Sequence, residues 1–221
     1  MCKKLLVICL ALIMTSASYG YGLNIGDFEG SLGSWAAAWD DSPSVALSTT
    51  GVTSGAGSAS VVYANASGWG WVLKNENLYG IRAAFMQPGA YLAADVTWVA
   101  SEWDDPMADA WGQVKSIALN SNPGWWQNDN PIDTANPSYP GSWDPRNWGE
   151  VHTRTLRWSV AGYNWAGVEG AWWLQLIIGK NDGGTGYTSG GFYIDNIRVI
   201  PEPATIAMLG LGGLALIRRK K

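Results

Sequence analysis

Three kinds of side chain in this sequence could do chemistry: one histidine, a run of carboxylates and an excess of tryptophan. His152 is the only histidine in 221 residues. A Ser-His-acid site therefore has one possible general base, and it sits in Val151 to Val160, a stretch with strand alternation. Glu102, Asp104, Asp105 and Asp109 supply carboxylates of the kind that glycoside hydrolysis pairs. The run Asp104-Asp105-Pro106, however, reads as a solvated turn or a cation-attracting loop. No phosphate-binding loop, dinucleotide fingerprint or zinc-ligand spacing occurs. A divergent glycan hydrolase or lyase stays as an alternative; the expectation is a protein that is not an enzyme.

The tryptophans carry a different chemistry. There are 15, all between Trp35 and Trp173. An indole presents a flat apolar face on which the C–H face of a pyranose can stack, while nearby amides and carboxylates take its hydroxyls. Trp98, Trp158 and Trp172 alternate with aliphatic residues and are expected in the core. Trp103, Trp111, Trp125, Trp126, Trp143, Trp148 and Trp173 fall on loops or on opposite strand faces and are candidate platforms. Gln175, Asn122, Gln127, Asn128 and Asp144 are the candidate polar partners. The competing reading is that these rings pack long loops down onto a sheet.

Strands must position these residues. Period-2 alternation marks Ser58 to Ala64, Gly68 to Lys74, Tyr91 to Ala100, Val114 to Asn120, Val151 to Val160, Ala171 to Gly179 and Phe192 to Ile200. In Gly68 to Lys74 the pattern puts Trp69, Trp71 and Leu73 on one face. Asn75 to Met86 has room for one helical turn. Thr49 to Gly57 is a Gly/Ser/Thr loop, and Ser121 to Glu150 is long and shows no strand period. Eight or nine strands over about 180 residues, with 28 glycines in the chain, predict an all-β sandwich in one domain.

The ends of the chain carry addresses. Lys3-Lys4, the apolar run Leu5 to Met14 and the small residues Thr15 to Ser18 form a secretory signal peptide, assigned to residues 1–22. Both cysteines, Cys2 and Cys9, leave with it, so no disulfide or thiolate metal site is expected in the mature chain. At the other end stand Pro201-Glu202-Pro203, then Ala204 to Ile217 without a charge, then Arg218-Arg219-Lys220-Lys221. As a helix, Ala204 to Ile217 would span only about 21 Å, short for a bilayer core of about 30 Å. The basic end snorkels and favours the cytoplasmic side, which leaves the body outside. The chain has 14 Lys plus Arg and 18 Asp plus Glu; six of the cations and one acid lie in these ends, so the body carries a net charge of −9. That argues against nucleic acid or anionic lipid as its partner.

The ordered triplet of residues 201–221 resembles the PEP-CTERM sorting signal. In that family Pro-Glu-Pro, a short hydrophobic helix and an Arg-rich end are recognised by exosortase, a membrane-embedded processing enzyme. The resemblance implies that Pro201, Glu202, Pro203, Arg218 and Arg219 are the motif residues. It further implies export through the secretion machinery, anchoring in the inner membrane in transit, and delivery to the cell surface or extracellular matrix.

The body, residues 23–200, carries a second resemblance. Asn-Ile-Gly-Asp-Phe-Glu (24–29), Trp35, the Gly/Ser loop before Ser-Val-Val and Phe-Tyr-Ile-Asp-Asn-Ile-Arg-Val (192–199) look like the ends of jelly-roll carbohydrate-binding modules of the galactose-binding-domain-like superfamily. This implies a jelly-roll β-sandwich and a polysaccharide ligand. It also implies a structural Ca²⁺ held by Asp27, Glu29 and Asp195, with carbonyls from loop 49–57; the alternative for Asp195 is to cap backbone N–H groups without metal. The expected function is an exported, surface-sorted, non-catalytic protein that holds polysaccharide through exposed Trp. The alternative is a structural matrix protein without a sugar ligand.

Overall fold

A computed structural model of the chain describes residues 22–40, 43–63, 68–102, 111–132, 151–183 and 190–201. Residues 1–21 of the expected signal peptide and the segment after Pro201 lie outside the described residues. Among the described residues no helix is long and apolar enough to cross a membrane.

Eleven strands stand among the described residues: β1 (Leu23–Gly26), β2 (Trp35–Ala37), β3 (Ser44–Ser48), β4 (Ser58–Tyr63), β5 (Gly68–Asn75), β6 (Tyr91–Val99), β7 (Trp111–Ser121), β8 (Gly124–Asn128), β9 (Val151–Ser159), β10 (Gln175–Gly183) and β11 (Gly190–Ile200). A 3₁₀ turn (Tyr79–Ile81) and a one-turn helix (Arg82–Phe85) fill the interval where the sequence left room for a single turn. The strands form two antiparallel sheets. One is six-stranded, in the order β3-β4-β11-β6-β9 with β1 also on β11; the other is five-stranded, in the order β2-β5-β10-β7-β8. This is the all-β sandwich that the alternation predicts.

The inner faces meet in one core. Leu92, Val96 and Trp98 of β6, Leu156 and Trp158 of β9, Ile117 and Leu119 of β7, and Leu176 and Ile178 of β10 are all buried in it. Alternation on a half-buried strand explains why these positions are apolar. Trp158 also satisfies its indole N–H, donating to Lys115 O at 2.9 Å. Lys180 points inward as well, donating from Nζ to Gly68 O at 3.2 Å, and stands 4.9 Å from the Tyr63 ring centre.

Two bulges break the expected pattern. In the β5–β10 ladder Leu73 pairs with Ile178 and Trp71 with Gly179, so Val72 is the extra residue. Leu73 therefore enters the core, while Trp71 and Trp69 turn to the outer face of the five-stranded sheet. The single face expected for Trp69, Trp71 and Leu73 is split by this one residue. In β11 the register shifts between Asp195 and Arg198, and Asn196 takes φ 51°. Tyr193 and Asp195 stay on the outer face of the six-stranded sheet, whereas Ile197 moves into the core.

Two further expectations change. Trp172 is 81% exposed rather than buried, because β10 begins only at Gln175 and the alternation before it is not in a strand. The interval from Ser121 holds a strand after all: β8 pairs with β7, with Trp125 opposite Asn120 and Trp126 opposite Leu119.

Candidate functional site

The outer face of the five-stranded sheet gathers four tryptophans. Trp69 and Trp71 come from β5, Trp125 from β8 at one edge, and Trp39 from the segment just past β2 at the other. Trp69 and Trp71 meet edge to face at 4.5 Å between centroids. Trp71 meets Trp125 at 5.2 Å, and Trp125 meets Trp39 at 6.3 Å. Rings from opposite edges of the sheet thus touch above its middle. They can do so because Gly179, Ser116 and Ala118 leave room for the Trp71 ring to lie flat between them. Trp71 packs on Ala118 and Ile177, and a Cβ at Gly179 would come within 3.0 Å of the Trp71 ring. Trp71 is the buried floor, while Trp39, Trp69 and Trp125 are 52%, 42% and 45% exposed.

Hydrogen bonds fix these rings. Trp69 Nε1 donates to Ser116 Oγ at 3.1 Å. Asp40 clamps the neighbouring segment to β5: its Oδ2 accepts from Trp71 N at 2.9 Å, and its own N–H donates to Trp71 O at 3.2 Å. That clamp places Trp39, whose ring lies 5.9 Å from Lys74 Nζ. A polar row runs beside the rings. Asn120 Nδ2 donates to Gln175 Oε1 at 3.3 Å, Gln175 Nε2 to Glu76 Oε1 at 3.1 Å, and Lys74 Nζ to the same oxygen at 2.7 Å. Gln127, on the same face, donates to Asp129 Oδ1 at 2.6 Å. Aromatic planes flanked by amides and a carboxylate are what a pyranose needs, with C–H groups on the rings and hydroxyls on the amides.

Of the platforms expected from sequence, Trp125 and Gln175 stand on this face. Trp126 turns inward from the same strand and packs on Tyr163 at 6.1 Å. Trp173 is half-buried beside Trp172, and its carbonyl accepts from Ser121 Oγ at 2.5 Å. Trp111 opens β7, but its side chain lies outside the described residues, as do Trp103, Trp143, Trp148 and Asp144. Asn122 is exposed near Gly170 O, and Asn128 donates to Ser159 O at 2.9 Å. Sequence reasoning missed Trp39, Trp69 and Trp71. The signal for the last two was the Gly68-Trp-Gly-Trp repeat, which puts two indoles on one face; what it hid was which face.

Two of the three expected metal residues, Glu29 and Asp195, accept N–H groups of loop 49–57. Asp195 is fully buried, and its Oδ2 accepts from Thr53 N (2.7 Å), Thr53 Oγ1 (3.0 Å) and Ser54 N (2.8 Å); its Oδ1 accepts from Asn196 N (2.6 Å). Glu29 Oε1 accepts from Ala56 N at 2.7 Å, and Asp27 is exposed. Loop 49–57 thus offers Asp195 and Glu29 N–H groups, the capping that the sequence left as the alternative for Asp195. Among the described residues no three His, Cys, Asp or Glu side chains converge.

The acid–base candidates lie away from the aromatic face. His152 Nε2 accepts from Arg154 Nε at 2.9 Å, and burial, then the Arg154 charge, hold its pKa below the ordinary value. Glu102 accepts from the Tyr193 hydroxyl at 2.7 Å. Asp104, Asp105 and Asp109 lie outside the described residues.

Comparison with known proteins adds a match at one end and likenesses for the body. Residues 199–221 match the PEP-CTERM protein-sorting motif. No curated protein matches the chain. Among solved structures, the C-terminal family 22 carbohydrate binding module from Clostridium thermocellum superposes with a TM-score of 0.47 at 17% identity, over 83% of this chain and 95% of that one. A non-crystalline cellulose specific module of family 28 gives a TM-score of 0.44 at 12% identity, over 82% and 97%. A family 22 xylan-binding domain from Paenibacillus barcinonensis gives 0.44 at 12%, over 81% and 94%. The chain therefore carries, at residues 199–221, the PEP-CTERM motif of proteins that exosortase processes and that leave the membrane for the cell surface.

Proposed function

We propose that this is an exported, surface-sorted, non-catalytic protein that binds polysaccharide on the outer face of its five-stranded sheet. The observation that carries this reading is the set of half-exposed rings Trp39, Trp69 and Trp125 around buried Trp71, with Gln175, Asn120 and Gln127 beside them. Exosortase acts on residues 199–221, and the body then enters the cell surface or the extracellular matrix, where polysaccharide is the partner. The test is retention on insoluble polysaccharides and on a glycan array. Replacing Trp69 and Trp125 together by alanine should cost roughly tenfold or more in affinity, since each stacked ring contributes on the order of 1 kcal/mol. The melting temperature should barely move. Undiminished retention by the double variant would refute the assignment of the face. The sorting reading has its own check: mature protein from a host with exosortase should lack Arg218 to Lys221.

One observation favours the alternative, a structural matrix protein. Trp71 is only 4% exposed because its neighbours cover it, so part of the cluster serves its own packing. An array on which the intact protein retains no glycan would decide for that reading.

A further inference from the structure

Both ends of the body emerge at one pole. β1 pairs antiparallel with β11, Leu23 opposite Val199, so Gly22 and Pro201 leave side by side. They border an apolar groove of about 250 Å³ lined by Leu23, Ala83, Ala84, Val199 and Pro201. The same pole receives the end of β5, the start of β6, the end of β9 and the start of β10. Named contacts tie these connections together. Phe85 stacks on Trp165 at 5.7 Å, Leu78 N donates to Leu174 O at 3.1 Å, and the Tyr79 hydroxyl donates to Glu169 O at 3.5 Å. Trp172 stands on this pole and is the most exposed large hydrophobic among the described residues; Leu23 is 42% exposed. Neither belongs to the aromatic face.

Chain length sets how far this pole can stand from a membrane. Four residue steps separate Ile200 from Ala204, the first residue of the uncharged segment. Fully extended, they reach at most about 14 Å. The headgroup layer takes roughly 5–8 Å of that. While the segment is in the bilayer, the exit point therefore stands no more than about 6–9 Å above the headgroup layer, within reach of exposed side chains on the pole. Tryptophan is the residue type that prefers this layer, apolar on its face and wet at its N–H. Charge points to neutral lipid: Arg82, with its guanidinium 4.2 Å from the Tyr79 ring centre, is offset by exposed Glu169.

We propose that Trp172 inserts into the zwitterionic headgroup layer and seats the body, with Leu23 beside the exit point, for as long as the tail holds the chain in the membrane. The proposal rests on the sorting reading of residues 199–221. Seated this way, the strands rise from the bilayer, and Trp69 stands at the far end of β5 from it.

The test uses the full chain in phosphatidylcholine vesicles, with and without bromine atoms on the upper acyl chain, which quench tryptophan at that depth. Flotation is measured first. A chain that does not float with vesicles overturns the anchoring premise and the proposal with it. For a chain that floats, Trp172→Ala should lower the quenchable fraction of fluorescence by about half or more, and Trp69→Ala should leave it unchanged. Adding anionic lipid should not increase it. Equal quenching in wild type and Trp172→Ala overturns the proposal alone. So does loss of oligosaccharide binding in Trp172→Ala with lipid quenching intact, which would make Trp172 a sugar contact. Circular dichroism on each variant confirms that the fold is kept.

Discussion

The two sheets treat their outer faces in opposite ways. On the six-stranded sheet, loop 49–57 crosses β11 and β6 and closes the face. Thr53 and Ser54 are pinned on Asp195, Ala56 on Glu29, and the Thr53 hydroxyl lies 2.9 Å from Asp95 Oδ2 and 3.0 Å from Asp195 Oδ2. Beneath it Asp95 also accepts from Thr155 Oγ1 at 2.6 Å and Asn196 Nδ2 at 2.9 Å, with Arg198 Nη1 at 3.4 Å. On the five-stranded sheet the rings of Trp39, Trp69 and Trp125 stay about half exposed. Polar side chains are buried on the first face and large apolar ones are exposed on the second. Burying a carboxylate is costly unless every acceptor is met, so the covered face is built for stability. Three indoles stand half in water on the open face, and the proposed polysaccharide contact would cover them.

The largest break in this contrast should come from Asp195→Ala. It would orphan the N–H groups of Thr53, Ser54 and Asn196, at about 1–3 kcal/mol each where burial persists. A loss of several kcal/mol lowers the melting temperature by roughly 10 °C in a domain of this size. Polysaccharide affinity at low temperature should be unchanged. A shift of only a degree or two would mean that the loop is not what closes this face. Since N–H groups occupy the carboxylates, chelation should leave the wild-type melting temperature where it was.

Gly51→Ala should come next. Gly51 has φ +71°, which a Cβ disfavours, and the added Cβ would run into Tyr193 Cβ. Left-handed strain of about 1–2 kcal/mol adds to the cost of displacing the loop. The expected outcome is a drop of several degrees in thermal melting and earlier proteolysis within 49–57. Retention of the wild-type cleavage pattern would count against a closed face.

A smaller effect tests the open side. Gly179→Ala puts a methyl group 3.0 Å from the Trp71 ring and 3.2 Å from Ser116 Cβ, so Trp71 must lift by a few tenths of an ångström. Overpacking of this kind costs on the order of 1 kcal/mol or more. Because Trp71 touches both Trp69 and Trp125, the displacement should reach the platform. Affinity for polysaccharide should fall several-fold with little change in melting. The reverse pattern, a lower melting point with intact affinity, would make the cluster a packing device.

Much of this contrast was legible in the sequence, and the illegible part has a physical cause. Alternation found the core rings Trp98 and Trp158, because β6 and β9 run without interruption. The family resemblance singled out Asp195, with the capping of backbone N–H groups as the alternative to a metal. Alternation failed wherever a single residue changes the phase. Val72 is such a residue, and its bulge moves two tryptophans from the core side to the outside. A one-residue slip reverses every side chain after it, and nothing in the composition of β5 marks the slip. Trp172 was misplaced for a different reason: its alternation with Leu174 and Leu176 has meaning only in a strand, and β10 starts at Gln175. The partners of Asp195 were invisible because Thr53 and Ser54 lie 142 and 141 residues away in the chain. The aromatic cluster has the same difficulty, since Trp39, Trp71 and Trp125 meet only once the strand order is known.

The smallest expected effect is a pH dependence confined to the covered face. Tyr193 lies under loop 49–57, and its pKa is raised above the ordinary value of 10.0, first by burial and then by the bond and charge of Glu102. A phenol whose folded pKa exceeds its unfolded one holds its proton in the folded state after the unfolded state has lost it. Its contribution to stability is therefore complete below pH 10 and is lost as pH rises through the folded pKa. Denaturant unfolding followed from pH 9 upward should show this decline, and Tyr193→Phe should flatten it. The same variant gives up the hydroxyl's donation to Glu102, so its stability at pH 7 should be slightly lower, and the two curves should approach each other in alkali. Tyr163 sits on the inner side of β8 and its pKa is pushed up to about 12 by burial, so its decline begins in the same range but extends to higher pH and persists in Tyr193→Phe. Sugar binding below the unfolding transition should be flat across this range, because Tyr193 and Tyr163 both lie off the tryptophan face. An affinity that falls in step with Tyr193 ionisation would instead mean that the covered face and the open face are coupled through the core.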